Sequence, residues 1–127
     1  MAKGRLKDNG VHLQPHEYQT VKLLLEIGYD IELIQESTIK GMRMPDIVMA
    51  SIPWEIKSPQ GTSKNTIRHT IKKAVQQSEN IIIDLSRYKL DEKSALKEIQ
   101  HHFKLSKRIK HIKVITKSKE IIDLTKK

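Results

Sequence analysis

Hydrophobic and polar positions along the chain change their spacing several times, and each change marks an element. Residues 1–14 are polar, include Gly4 and Gly10, and read as a flexible N-terminal arm ahead of one domain spanning 15–127. Pro15 suits a helix start, and Val21, Leu24, Leu25 and Ile27 make a helical stripe that Gly28 is suited to close. Over residues 29–35, Ile31 and Leu33 alternate with Asp30 and Glu32, the period of a strand. A polar loop containing Gly41 covers 36–43. Two strands follow, over 46–50 and 54–58. A short turn around 51–53 folds them together, and Pro59 ends the second.

The helical period returns over 64–78, with Ile67, Ile71, Ala74 and Val75 on the buried side and Lys64, Arg68 and Lys72 along the opposite one. The apolar run through Ile81, Ile82 and Ile83 to Leu85 reads as a central strand covered on both faces. A third helix over 92–105 turns Leu96, Ile99 and Phe103 inward. Strands over 111–116 and 120–124 are then joined by a turn at Lys117, Ser118 and Lys119. This order predicts an α/β fold, a three-layer-like sandwich with a central mixed β-sheet flanked by helices.

Lys and Arg outnumber Asp and Glu by 24 to 15, a net charge of +9. Such an excess suits a polyanionic partner, because each neutralised phosphate releases counterions. Nucleic acid is a better candidate than membrane, since no segment is both basic and amphipathic enough to lie in an interface. The absence of cysteine excludes disulfides and thiolate metal ligands. No apolar run approaches the roughly 20 residues of a membrane span. The first residues, Met1 to Arg5, lack the apolar stretch of a signal peptide, so export would depend on a larger parent protein.

Glu55 and Lys57 stand two apart on a strand and therefore face one side, and the hairpin brings Asp46 close to Glu55. Two carboxylates with an ammonium beside them are the equipment for metal-assisted hydrolysis of a phosphodiester. A hard cation such as Mg²⁺ or Mn²⁺ takes oxygen ligands, here Asp46, Glu55 and the backbone carbonyl of Ile56. Lys57 is placed to orient a water or to offset charge on the phosphoryl oxygens. The bland alternative is an exposed Glu55–Lys57 ion pair, with Asp46 a turn cap after Pro45. Glu17 shares the stripe of Val21 and Leu24. A carboxylate there is either paired or metal-binding, or a first-turn residue favouring the helix dipole.

Ser58, Ser63, Lys64, Asn65, Thr66, Arg68, Lys72 and Gln77 are candidate donors to a substrate near the same end, with the amino end of the second helix after Gly61. For Thr62 and Ser63 the other role is a helix cap. A metal-independent ribonuclease with His69 as general base and Lys57 or Arg68 on the phosphate is a further option, but it leaves Asp46 and Glu55 without a role. Trp54 points to the other strand face and reads as core.

Glu17 on the first helix, Pro45-Asp46 and Glu55-Ile56-Lys57 together resemble the PD-(D/E)xK nuclease superfamily. A longer pattern adds Gly28-Tyr29, Glu32-Leu33, Trp54 to Pro59, Thr66-Ile67, Gln77-Ser78 and Asn80 to Leu85. From about residue 13 onward it resembles the C-terminal tRNA-nuclease domains of contact-dependent growth-inhibition (CdiA-type) toxins, and related toxin domains of Gram-positive bacteria. That resemblance implies a restriction-endonuclease-like core and metal-dependent cleavage of tRNA in the cytoplasm of a target cell. It also implies delivery from a secreted parent toxin and a cognate immunity protein. Asp46 and Glu55 would be metal ligands, Lys57 the catalytic lysine and Glu17 an accessory acid at the metal. The superfamily also holds DNA-cleaving members, so a restriction-type or junction-resolving DNA endonuclease stays open, as does a non-catalytic nucleic-acid-binding module.

Overall fold

A computed structural model describes residues 2–35 and 44–126. The expected loop at 36–43 lies outside the described residues. A seven-stranded mixed sheet keeps its strands in chain order, β1 to β7. β1 (Leu6–Lys7) lies parallel to β2 (Ile31–Leu33), and β2, β3 (Ile47–Met49) and β4 (Ile52–Lys57) run antiparallel in turn. β4, β5 (Asn80–Asp84) and β6 (His111–Ile115) are parallel, and β7 (Ile121–Thr125) returns antiparallel. Each parallel connection carries a helix, α2 (Thr66–Ala74) and then α3 (Glu92–Leu105), and two crossovers of one hand, taken in one direction, place both helices on one face. α1 (Pro15–Ile27) covers the other face, so the molecule has the expected three layers.

Alternation along β5 shows why its run of isoleucines has no polar face. Ile81 and Ile83 pack with Ile67, Ile71, Ile99 and Phe103 of α2 and α3. Ile82 packs with Val21 and Leu24 of α1, together with Trp54 and Ile56. Trp54 is core, as its alternation predicts, and its indole N–H donates to the Met49 carbonyl at 2.9 Å. No helix among the described residues is long and apolar enough to cross a membrane.

The hairpin and α2 differ from the sequence pattern. The hairpin turn is Ala50–Ser51, with φ of 54° and 66°, so Ile52 and Pro53 belong to β4. Positive φ at both central positions is what a two-residue turn needs to match the twist of the strands. Pro53 pairs with Val48, and its carbonyl accepts from Ser78 Oγ and Asn80 Nδ2, both at 3.1 Å. α2 is shorter than 64–78, and Lys64 precedes it. Ser63 holds the approach in a turn, its hydroxyl accepting from the Asn65 N–H and its carbonyl from Thr66. Neither Thr62 nor Ser63 caps the helix, whose N-cap position is Asn65.

The N-terminal segment adds a strand to the sheet. The Gly4 N–H donates to the Leu25 carbonyl at 2.7 Å, and the Ile31 N–H to the Arg5 carbonyl at 2.9 Å. A Cβ at Gly4 would sit 1.7 Å from the Tyr29 carbonyl oxygen, so only glycine allows this approach. Nothing in the local pattern announces this contact, because every partner lies at the far end of α1 or beyond it.

Candidate active site

β4 outruns its neighbour. β3 starts at Ile47, opposite Trp54, so Glu55, Ile56 and Lys57 have β5 on one side and the end of β3 on the other. Asp46 fills that end. Its backbone N–H donates to the Trp54 carbonyl at 3.0 Å, and its Oδ2 accepts the Ile56 N–H at 2.8 Å. A strand residue directs its N–H and C=O to the same side, so the Ile56 carbonyl also lies on the Asp46 edge.

Glu55 is only 3% exposed. Its Oε2 pairs with Lys57 Nζ at 3.2 Å, while its Oε1 is buried without a hydrogen-bond partner among the described residues. That geometry is not the exposed ion pair which the spacing alone equally allows. Burial first, then the neighbouring Asp46 charge, push the Glu55 carboxyl up to about 8 against the pull of Lys57. Burial also raises Asp46, a rise that the Ile56 amide and the Glu55 carboxyl oppose and the Glu17 charge adds to. Two carboxyl groups are therefore held together short of counter-charge.

Glu17 sits in the first turn of α1, where its Oε1 accepts the Gln14 N–H at 2.9 Å. It serves as a helix-start residue while its charge reaches Asp46. Among the described residues no three His, Cys, Asp or Glu side chains gather as a closed ligand cage. The site still fits a hard divalent cation. An orphaned, buried carboxylate oxygen, a second carboxylate and a carbonyl edge are an open oxygen set of the kind Mg²⁺ completes with water and phosphate.

The other expected residues divide. Ser58 follows Lys57 directly, but its hydroxyl and carbonyl are both taken by Arg87. Ser63, Lys64, Asn65 and Thr66 occupy the approach and first turn of α2, and Arg68 and Lys72 are exposed along it. His69 is exposed on the same helix. Gln77 lies at the opposite end of β5, beside Ser78.

Sequence reasoning missed the network beyond β5. Buried Asp84 accepts from Thr20 Oγ1 of α1 at 2.5 Å, from the Ser86 N–H at 2.9 Å and from the Ser86 hydroxyl. This fastens the helix carrying Glu17 to the strand beside β4. Its one local signal is an acid closing the run of three isoleucines in β5.

The chain is thus a three-layer α/β domain with a buried acid pair and a lysine where β3 ends. It matches the contact-dependent growth inhibition CdiA C-terminal domain family over residues 43–121, well over half its length, and it belongs to that family. In fold it is similar to a chain of the CdiA-CT/CdiI toxin and immunity complex from Burkholderia pseudomallei. The match covers 97% of this chain and 100% of that one, with a TM-score of 0.70 at 17% sequence identity. No curated protein matches the sequence.

Proposed function

We propose that this protein is a metal-dependent endonuclease toxin domain of PD-(D/E)xK type that cleaves tRNA. It would be delivered from a parent protein into the cytoplasm of a target cell and neutralised by a cognate immunity protein. The observation that carries the enzymatic reading is the buried Glu55 Oε1, without a hydrogen-bond partner among the described residues, beside Asp46 and Lys57; such burial costs stability unless something binds there. Membership of the family and the net charge of +9 support a toxin acting on a polyanion. The similar solved structure, a toxin with its immunity protein, supports the partner.

Asp46, Glu55 and the Ile56 carbonyl would hold Mg²⁺ or Mn²⁺, with Glu17 as an accessory acid nearby. The ion would polarise the scissile phosphate and supply an acidic water at neutral pH. Lys57 offsets charge on the phosphoryl oxygens as water adds to phosphorus and the bond to the leaving oxygen breaks. The Asp46–Ile56 hydrogen bond keeps the acid aimed across the strand end, so the site is set before substrate arrives. Ser63, Lys64, Asn65, Thr66, Arg68 and Lys72 offer donors to the flanking backbone, and Ser58 positions Arg87.

Substituting Asp46, Glu55 or Lys57 by alanine is expected to lower tRNA cleavage by at least about 10²–10³-fold with the circular dichroism spectrum retained. EDTA silences the wild type, and Mg²⁺ or Mn²⁺ restores it; full activity in chelator refutes the metal mechanism. A DNA endonuclease of the same fold is the second reading, and parallel digests of total tRNA, duplex DNA and branched DNA separate the two.

A further inference from the structure

Three cations stand at the carboxyl ends of β4, β5 and β6, and hydrogen bonds join them into one chain. Lys57 ends β4. Ser58, the next residue, holds Arg87: the guanidinium Nε donates to its Oγ at 3.0 Å and a terminal N–H to its carbonyl at 2.9 Å. A further N–H of Arg87 donates to Gln60 Oε1 at 3.0 Å. Arg87 closes the 3₁₀ turn that follows β5. Ser86, just before it, accepts from Lys119 Nζ at 2.9 Å, and Lys119 lies in the turn after β6. Register places Lys57 beside Ile83 and Asp84 beside Ile115, so these strand ends lie abreast at steps of about 4.8 Å.

Lys57 is paired with Glu55, but Arg87 and Lys119 are held without being neutralised by any acid among the described residues. Asp84, the buried acid closest in the network, spends its oxygens on Thr20 and Ser86 and forms no ion pair among the described residues. Arg87 uses three of its five N–H donors, and its planar fork suits phosphate. Arg68 and Lys72 on α2 have no such anchorage among the described residues, so ordering them on a ligand costs more side-chain entropy. In open α/β sheets, ligands sit outside the carboxyl ends of parallel strands, which is where this row lies.

We infer that Arg87 and Lys119 form a backbone-phosphate track across these strand ends, continuing from Lys57 at the scissile phosphate to the phosphates of adjoining nucleotides. This inference rests on the nuclease reading of the Asp46–Glu55–Lys57 site.

The test measures binding of unfractionated tRNA in EDTA at several salt concentrations, with KM for cleavage measured in Mg²⁺. Arg87→Gln and Lys119→Gln are each expected to reduce the slope of log affinity against log salt by about 1. Each also raises KM by a larger factor than it lowers kcat. Lys104→Gln, on the exposed side of α3, leaves slope and KM at wild-type values. Arg87→Lys, which keeps the charge but loses the fork, recovers part of the slope. If Arg87→Gln does not fold, Lys119→Gln, at an exposed turn, decides alone. Wild-type slope and KM in a folded Lys119→Gln, or the whole effect falling on an Arg68→Gln/Lys72→Gln double variant, overturns the track while leaving the nuclease standing. A wild type that neither binds nor cleaves tRNA removes the tRNA-nuclease reading and the track with it.

Discussion

A carboxylic acid with one oxygen sealed in protein and unpartnered, as Glu55 is, binds its proton more tightly folded than unfolded. Its folded value of about 8 stands above the 4.5 ordinary for a glutamic acid, so its contribution to metal-free stability is complete below about 4.5 and lost as pH rises through 8. Asp46 is shifted in the same direction. Thermal unfolding in EDTA is therefore expected to show a lower Tm at pH 8 than at pH 5.5 from this pair. Glu55→Gln flattens the slope and raises Tm at pH 8 by roughly 5 °C, reading the gain through the usual unfolding entropy. Mg²⁺ or Mn²⁺ at pH 8 raises the wild-type Tm and leaves that of Glu55→Gln nearly unmoved. Asp46, Glu55 and Lys57 were legible because a proline-acid step and an acid two residues from a lysine are local signals. Arg87 and Thr20 were not, since their partners, Ser58 and Asp84, lie 29 and 64 residues away in the chain.

At the scale of elements, boundaries followed local chemistry wherever the chemistry was strong. α3 occupies the predicted span, 92–105, because Asp91 caps it by accepting the Ser94 N–H at 3.0 Å and Ile99 and Phe103 set its stripe. α1 ends where Gly28 takes a φ of 119°. α2 stops short of the 64–78 that its apolar spacing predicts, and Ser78 is drawn away to the Pro53 carbonyl. The hairpin turn lies one to two residues ahead of the 51–53 that the sequence predicts, because alanine and serine take the left-handed positions. Relieving one of them is expected to help: Ser51→Gly stabilises by about 0.5–1 kcal/mol, the left-handed penalty less the added freedom of the unfolded chain. A urea titration measures this, and an unchanged or lower midpoint refutes the turn geometry.

The whole molecule shares one sheet between two cores, one under α1 and one under α2 and α3. Both cores lean on β5, all of whose residues are buried, so neither layer has a separate folding unit to fall back on. Ile82→Ala, facing α1, and Ile99→Ala, in α3, are each expected to cost about 2–5 kcal/mol. Each shifts a single cooperative transition, seen alike by tryptophan fluorescence and circular dichroism. A transition that splits in either variant shows that the layers unfold apart. At this scale charge also acts as a sum: the net +9 sets attraction to a polyanion, and the folded arrangement decides where that attraction is spent.

The amino-acid pattern by itself determined the element order from α1 onward, the alternation that makes β5 two-faced, the cationic excess and the acid–acid–lysine set, since each is carried by neighbours within a few residues. Tertiary structure alone decided that Glu55 is sealed rather than exposed, that residues 6–7 join the sheet, and that Arg87 bonds Ser58, the neighbour of Lys57, while Lys119 bonds Ser86. Those facts depend on which strand outruns which and on hydrogen bonds closed across loops, and long-range closure leaves no period in the chain.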